Sequence, residues 1–175
     1  MASQADLLDP QDALSEYPFP LAIVTAGRGS ERAGMVAAWL TQVSWKPPYV
    51  GVAIYREWTT LKIILKYSEF ALNLISEKLV DVSLKVFGSM SSRQVDKFDI
   101  ASRNYGVRVG EGRHVKAPVI LDAPIVIECK FLKHVEVGDH YLVIGEPVAA
   151  YRNNEDKPVI YYKNKVYSIG KEVGT

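Results

Sequence analysis

Two hydroxyls, an arginine and a lysine fall within Tyr55-Arg56-Glu57-Trp58-Thr59-Thr60-Leu61-Lys62. Thr59 is read as the cap of a helix of about two turns over residues 61–66, which puts Lys62 in its first turn. A lysine there opposes the helix macrodipole by about a few tenths of a kcal/mol. A bound anion reverses that sign, because free N–H groups, two hydroxyls and two cations then converge on one charge. The bland alternative is a solvated helix end at which Glu57 balances Arg56. The chemistry on offer is recognition of a phosphate.

A second stretch, GMVAAWLTQVSWKPPYVGVAI (residues 34–54), sets the small or branched Val36, Ala37 and Ala38 before the bulky Trp39. A strand packed only on a core has no need of so little bulk, whereas a surface against which a flat ligand lies does. Backbone N–H and C=O groups of residues 37–41 can bond the polar edge of a ring if small side chains permit close approach. A phosphate site one strand away from such an edge suits a ligand with a ring at one end and a phosphate at the other, which is the shape of flavin mononucleotide. Trp39 also fits a core-packing role.

Other chemistries are not supported. Gly27-Arg28-Gly29 with Gly34 matches neither G-x-G-x-x-G nor a P-loop and reads as a hairpin loop. His114, His134, His140 and Cys129 share no metal-ligand spacing. Cys129 falls on an alternating strand, facing inward, where apolar surroundings leave a thiol inert. No G-x-S-x-G elbow is present.

These segments need elements to position them. Asp9-Pro10-Gln11-Asp12 opens a helix running to about Tyr17, so residues 1–17 form a helical arm. Strands are expected over 21–26, 35–44, 49–55, 69–74, 125–131, 141–151, 159–162 and 165–169, the last closing the sheet. Ser76 is a candidate cap for a helix on which Leu79, Val82 and Val86 recur and which Gly88 ends. Residues 89–124 are irregular, with a helical turn over 96–101. In 125–131 the period of two puts Ile125, Ile127, Cys129 and Phe131 on one face. The almost wholly apolar 141–151 requires cover on both faces, the second supplied by a helix or another subunit. The fold class is mainly β: a six-stranded antiparallel split barrel (Greek key) with a few short helices, in one domain over 1–175.

Composition agrees with a soluble globular chain. Of 175 residues, 48% are hydrophobic and 23% charged, with a formal net charge of +1. That balance argues against nucleic-acid or membrane-surface partners. No apolar run approaches the roughly 20 residues of a membrane span. The acidic N-terminal segment does not read as a secretory signal, and the single cysteine fits a cytoplasmic location.

The sequence resembles the flavin reductase-like proteins with an FMN-binding split barrel. The resemblance rests on PFPLAIVTA (18–26), GMVAAWLTQVSWKPPYVGVAI (34–54), REWTTLKII (56–64), FALNLIS (70–76), VDKF (95–98), VGDHYLVIGEPV (137–148) and PVIYYKNKVYSIG (158–170), in that order. It implies a homodimer with flavin near the subunit interface, NAD(P)H as co-substrate, and oxygen, a ferric complex or a partner oxygenase as acceptor. Position by position, it implies that Ala37, Ala38, Trp39, Leu40 and Thr41 line the isoalloxazine and that Ser44 supports that loop. Tyr55, Arg56, Thr59 and Lys62 would hold ribityl and phosphate, with Gly88, Ser89 and Lys97 as further contacts. His140 would lie beside the nicotinamide or flavin, with Tyr167 in the same pocket. Relatives often carry Ser, Thr or Asn where this chain has Val36, Ala37 and Ala38, so ring binding would rest on backbone groups. FMN is the expected flavin, with FAD as the alternative. An electron carrier without its own NAD(P)H activity, and a structural homodimer with a decayed flavin site, are the competing functional readings.

Overall fold

The computed structural model describes residues 7–174, so the first six residues of the expected arm lie outside it. Asp9 caps α1 (Pro10–Ser15) by accepting from the Gln11 N–H at 2.8 Å. No residue of α1 is buried. Its hold on the body comes from the chain that follows it.

The main sheet has seven strands: β2 (Ala22–Arg28), β3 (Glu31–Ala37), β4 (Leu40–Ser44), β5 (Tyr49–Tyr55), β6 (Glu69–Leu74), β9 (Ile125–Val137) and β10 (His140–Arg152). Their order is β3-β2-β6-β9-β10-β5-β4, and neighbouring strands pair antiparallel. β3 and β4 occupy opposite edges yet follow one another in the chain. The stretch 35–44, read as one strand, is therefore broken at Ala38-Trp39, where it crosses from one edge to the other and closes the barrel. Trp39 O accepts from Ala53 N at 2.9 Å at this crossing.

Alternation along β2 and β3 sorts two cores. Val24, Ala26, Ala33, Met35 and Ala37 point into the barrel, where they meet Phe70, Leu72, Val52, Ile54 and Val143. α2 (Thr59–Tyr67) contributes buried Leu61, Ile63 and Ile64 to that same core, each worth about 1.5–3 kcal/mol of burial. Leu21, Ile23 and Ala71 face the other way, against Phe87, Phe98, Val119 and Val126, with Val36 and Ala38 at the margin of this second core.

The second core is covered by a short composite helix and by α4 (Lys97–Tyr105). The composite helix begins as a 3₁₀ turn (Glu77–Leu79), passes through α3 (Val80–Val82) and ends as a π turn (Ser83–Gly88). Phe87 seats on β3 because Gly34 has no side chain; a Cβ there would lie 2.8 Å from the Phe87 ring. The hairpin β7 (Val109–Glu111) and β8 (Pro118–Ile120) completes the cover.

Several expectations are corrected. Residues 27–34 are not a loop: β2 and β3 pair from Ala22↔Ala37 to Arg28↔Glu31, leaving Gly29-Ser30 as the turn. Ser76 does not cap its helix, and its buried hydroxyl has no partner among the described residues. The helical turn near 96 is a full helix, because Asp96 accepts from Phe98 and Asp99 N–H. β11 (Val159–Tyr162) and β12 (Lys165–Ser168) do not close the main sheet; they form a separate three-stranded sheet with β1 (Phe19–Pro20). In β9 the period of two holds but both faces are covered: Ile127, Cys129 and Phe131 pack on the barrel core, while Val126 lies in the second core and Glu128 is buried beneath the backbone of residues 113–115. Burial pushes the Cys129 thiol up to about 12, which leaves it inert. Leu132, Val135 and Val137 of β9 are exposed, as is Val148 of β10, which lies farther along the ladder opposite residues 128–129.

Candidate functional site

Two recesses meet at the free edge of β3. The larger, about 910 Å³, runs past Val36, Ala37, Ala38 and Trp39 toward α1. The smaller, about 350 Å³, lies between the start of α2 and the segment 87–93. Met35, Val36, Trp58 and Gly88 border both, so the two are continuous.

The wall of the larger recess is lean by construction. β3 has a neighbour on one side only. Gly34 sends its N–H and C=O outward from the sheet, to Ser92 Oγ at 3.5 Å and from Lys97 Nζ at 2.8 Å. Alternate residues of an antiparallel strand present their polar groups on the same side, so Val36 offers an N–H and a C=O to the recess. Ala37 turns its methyl into the barrel, and Ala38 adds little bulk. Backbone is therefore accessible to a planar ligand.

An aromatic group closes the mouth. The Trp39 indole and His140 imidazole centroids are 5.0 Å apart, and Tyr55 meets His140 edge-on at 5.7 Å. His140 Nδ1 lies 2.6 Å from Asp139 Oδ1, a contact that, first among its causes, holds the Asp139 carboxyl below its usual range. Tyr55 also packs edge-on to Trp58 at 6.3 Å, behind the cleft.

The smaller recess is polar and cationic. Thr59, Ser89, Ser91 and Ser92 line it together with Arg93 and Lys97. Arg93 donates from Nη2 to Glu57 O at 3.0 Å and from Nε to Thr59 Oγ1 at 3.3 Å. Lys97, 5% exposed, donates to Gly34 O at 2.8 Å and Phe87 O at 2.9 Å. Burial pushes its ammonium down to about 8. Neither cation meets a carboxylate among the described residues, whereas Arg32, Lys66, Lys78, Lys85, Arg103 and Arg108 each do. Glu57 borders the recess, but its carboxylate turns to Lys62 at 3.9 Å. α2 begins here at Trp58 with no side-chain cap, leaving N–H groups at its positive end.

The structure gathers some of the sequence-derived positions and separates others. Ala37, Ala38, Trp39, Gly88 and His140 line the larger recess; Thr59, Gly88, Ser89 and Lys97 line the smaller. Leu40, Thr41, Ser44, Tyr55, Arg56, Lys62 and Tyr167 border neither. Leu40 packs on the barrel core. Thr41 and Ser44 bond backbone carbonyls of their own loop. Arg56 is drawn away by the hairpin turn, donating from Nη2 to Gly138 O at 2.6 Å. Lys62 sits on the exposed side of α2, and Tyr167 packs edge-on to Tyr162 at 6.0 Å. Of the expected cations, Lys97 lines the smaller recess, together with Arg93, which the sequence did not single out, whereas Arg56 and Lys62 border neither recess. Arg93 gave no local signal; a serine-rich SMSSR after Gly88 was the available hint.

Comparison with known proteins follows from this geometry. Residues 14–170 match the family model described as a flavin reductase like domain. A protein of Aeropyrum pernix is 36% identical over 135 residues, 77% of this chain but 50% of that protein, so the match spans half the relative's length. A protein of Pyrococcus abyssi is 36% identical over 141 residues, covering 80% of this chain and 77% of the relative. The solved structure of Streptomyces globisporus C-1027 NADH:FAD oxidoreductase SgcE6, in complex with NAD and FAD fragments, has a TM-score of 0.82 at 26% identity. That likeness covers 97% of this chain and 100% of the other.

Proposed function

Starting from a chain that belongs to the flavin reductase-like family, we propose that it is an NAD(P)H-dependent flavin reductase whose joined recesses take a flavin nucleotide. One observation carries the reading: Arg93 and Lys97, two cations without a carboxylate partner among the described residues, converge in a hydroxyl-lined recess that opens onto a lean strand edge. The residues fit the group. The recess supplies cations and an uncapped helix start for a phosphate, and the edge supplies room and backbone donors for a ring.

A bound flavin supplies hydride acceptance from a nicotinamide and onward electron delivery. The chain's own part is positioning. Val36 N–H and C=O orient the polar edge of the ring, and a backbone donor there stabilises negative charge as it develops. Arg93, Lys97 and the Thr59 hydroxyl fix the phosphate, which sets the depth of the ring in the cleft. Trp39, Trp58 and His140 wall the space above it and restrict water. Hydride transfer requires no side-chain acid or base.

FMN and FAD share the ring and first phosphate that these residues would meet, so both belong to the reading, with FMN the flavin first expected. Oxygen, a ferric complex or a partner oxygenase would take the electrons. A homodimer agrees with the exposed apolar Leu132, Val135 and Val137 of β9.

The reading is tested by following NADH and NADPH oxidation in air with and without added FMN or FAD. Flavin-dependent oxidation supports a reductase. Tight flavin binding without nucleotide oxidation would turn the reading toward an electron carrier, and no flavin binding would overturn it.

A further inference from the structure

The larger recess has a polar end that the flavin reading leaves unused. Beyond Ala38 and Trp39 it is bordered by Gln11, Asp12 and Ser15 of α1 and by Lys163 and Asn164 in the β11–β12 turn. None of these residues borders the cationic recess. α1 buries nothing, yet it is fastened there: Glu16 pairs with Lys163 at 2.7 Å and accepts from Tyr162 OH at 2.7 Å, while Lys163 N–H donates to Ser15 O at 3.2 Å. A helix held by polar clasps over a cleft presents Gln11, Asp12 and Ser15, with Leu14 among them, to whatever lies inside.

The charges at this end are arranged asymmetrically. Asp12 makes no ion pair among the described residues, and only its backbone carbonyl is engaged, by Ser15 Oγ at 2.7 Å. Lys163, the one cation bordering this end, is consumed by Glu16. An unengaged carboxylate accepts hydrogen bonds from a vicinal diol, and it repels a phosphate placed on that diol. Asn164 Oδ1 accepts from Tyr161 OH at 3.2 Å, which leaves the amide N–H₂ to donate.

Building on the reductase reading, we propose that this end receives the adenosine ribose of the pyridine nucleotide, and that Asp12, with Lys163 neutralised by Glu16, selects NADH over NADPH. The selectivity is mostly exclusion. Asp12 would face the 2′-phosphate directly, and the single cation that could offset it is already paired. Both charges are solvent-accessible, so discrimination is modest and depends on salt.

The test measures NAD⁺ and NADP⁺ binding to the flavin-loaded protein by calorimetry at low ionic strength, alongside KM for NADH and NADPH. Asp12→Asn and Glu16→Gln, the second freeing Lys163, should each strengthen NADP⁺ relative to NAD⁺ by about 2- to 5-fold. The gain should shrink in high salt. Tyr162→Phe removes a hydrogen bond from Glu16 without changing charge and should leave the ratio where it was. An unchanged ratio in both charge variants, with both nucleotides still binding, overturns this proposal while leaving the reductase reading intact. A shift in the FAD-to-FMN affinity ratio instead would assign this end to the flavin's own adenosine and overturn it too. If neither nucleotide binds the wild-type protein, both readings fall together.

Discussion

Arg93 Nε lies 3.3 Å from Thr59 Oγ1 although 34 residues separate the two in the chain. That link joins the start of α2 to the segment after the π turn and makes one anion-sized recess from two distant pieces of sequence. Arg93→Ala should therefore weaken FMN by about 10- to 100-fold, the loss of a charge-assisted contact, while riboflavin, lacking the phosphate, changes little. Arg56→Ala combined with Lys62→Ala should leave the FMN-to-riboflavin ratio unaltered, because those side chains are held by Gly138 O and Glu57. Flavin fluorescence titrations read both ratios.

Ring binding depends on empty space beside β3. Val36 borders both recesses and Ala38 the larger one. Val36→Phe and Ala38→Phe fill that space, and each should weaken FMN and riboflavin alike by about tenfold or more. Unaltered affinity for both ligands would remove these positions from the site, and circular dichroism would show whether the fold had survived.

Lys97 gives the site a pH dependence. Its pKa is pushed down to about 8 by burial. Below that value the protein carries the cost of a buried cation, and the cost is relieved as pH rises toward the ordinary 10.5. Folding stability should thus rise over this window, since the unfolded chain then binds more protons. A bound phosphate works in the opposite sense by holding the proton on. FMN affinity should fall above about pH 8 by at most about tenfold per unit, with riboflavin flat. Lys97→Met should abolish the slope.

How much of this was legible in the sequence differs from element to element. β5 and β6 occupy the expected residues because each is a mainly apolar run between turn signals, with only Glu69 and Asn73 interrupting β6. Asp9 announced α1 by its capping chemistry, while at 96–101 only a helical turn was read and the length of α4 did not show, since most of its residues are polar. The low bulk at Val36 and Ala38 was visible as residue type alone. Arg93 was not singled out because sequence spacing favours neighbours: Arg56 and Lys62 are close in the chain, whereas Arg93 and Thr59 meet across 34 residues. Glu128 does lie on the face away from the barrel, but nothing in the sequence signalled that the backbone of residues 113–115 would cover that face and bury it.

Glu128 is fully buried and accepts from the backbone N–H groups of Arg113, His114 and Val115 at 2.6, 2.6 and 2.9 Å. Burial alone would raise its pKa, but these three donors and the Tyr151 hydroxyl hold it below the ordinary 4.5. A carboxylate depressed in this way stabilises the fold above its unfolded pKa, and the contribution is lost as pH falls below about 4.5 through the folded value. Glu128→Gln turns an N–H₂ group toward backbone donors and should cost about 2–4 kcal/mol. Urea melts at neutral pH read the loss, and the variant's stability should fall less steeply in acid than the wild type's.

The central claim is that this chain reduces a flavin held with its ring along residues 36–39 and its phosphate at Arg93 and Lys97. The most direct measurement is anaerobic mixing of the protein with FMN or FAD and NADH, following loss of the visible flavin band against time. The account predicts bleaching far faster than in buffer, slowed in Val36→Phe for every flavin and in Arg93→Ala for the phosphorylated ones. Bleaching no faster than in buffer, with NADPH equally inactive, would contradict it.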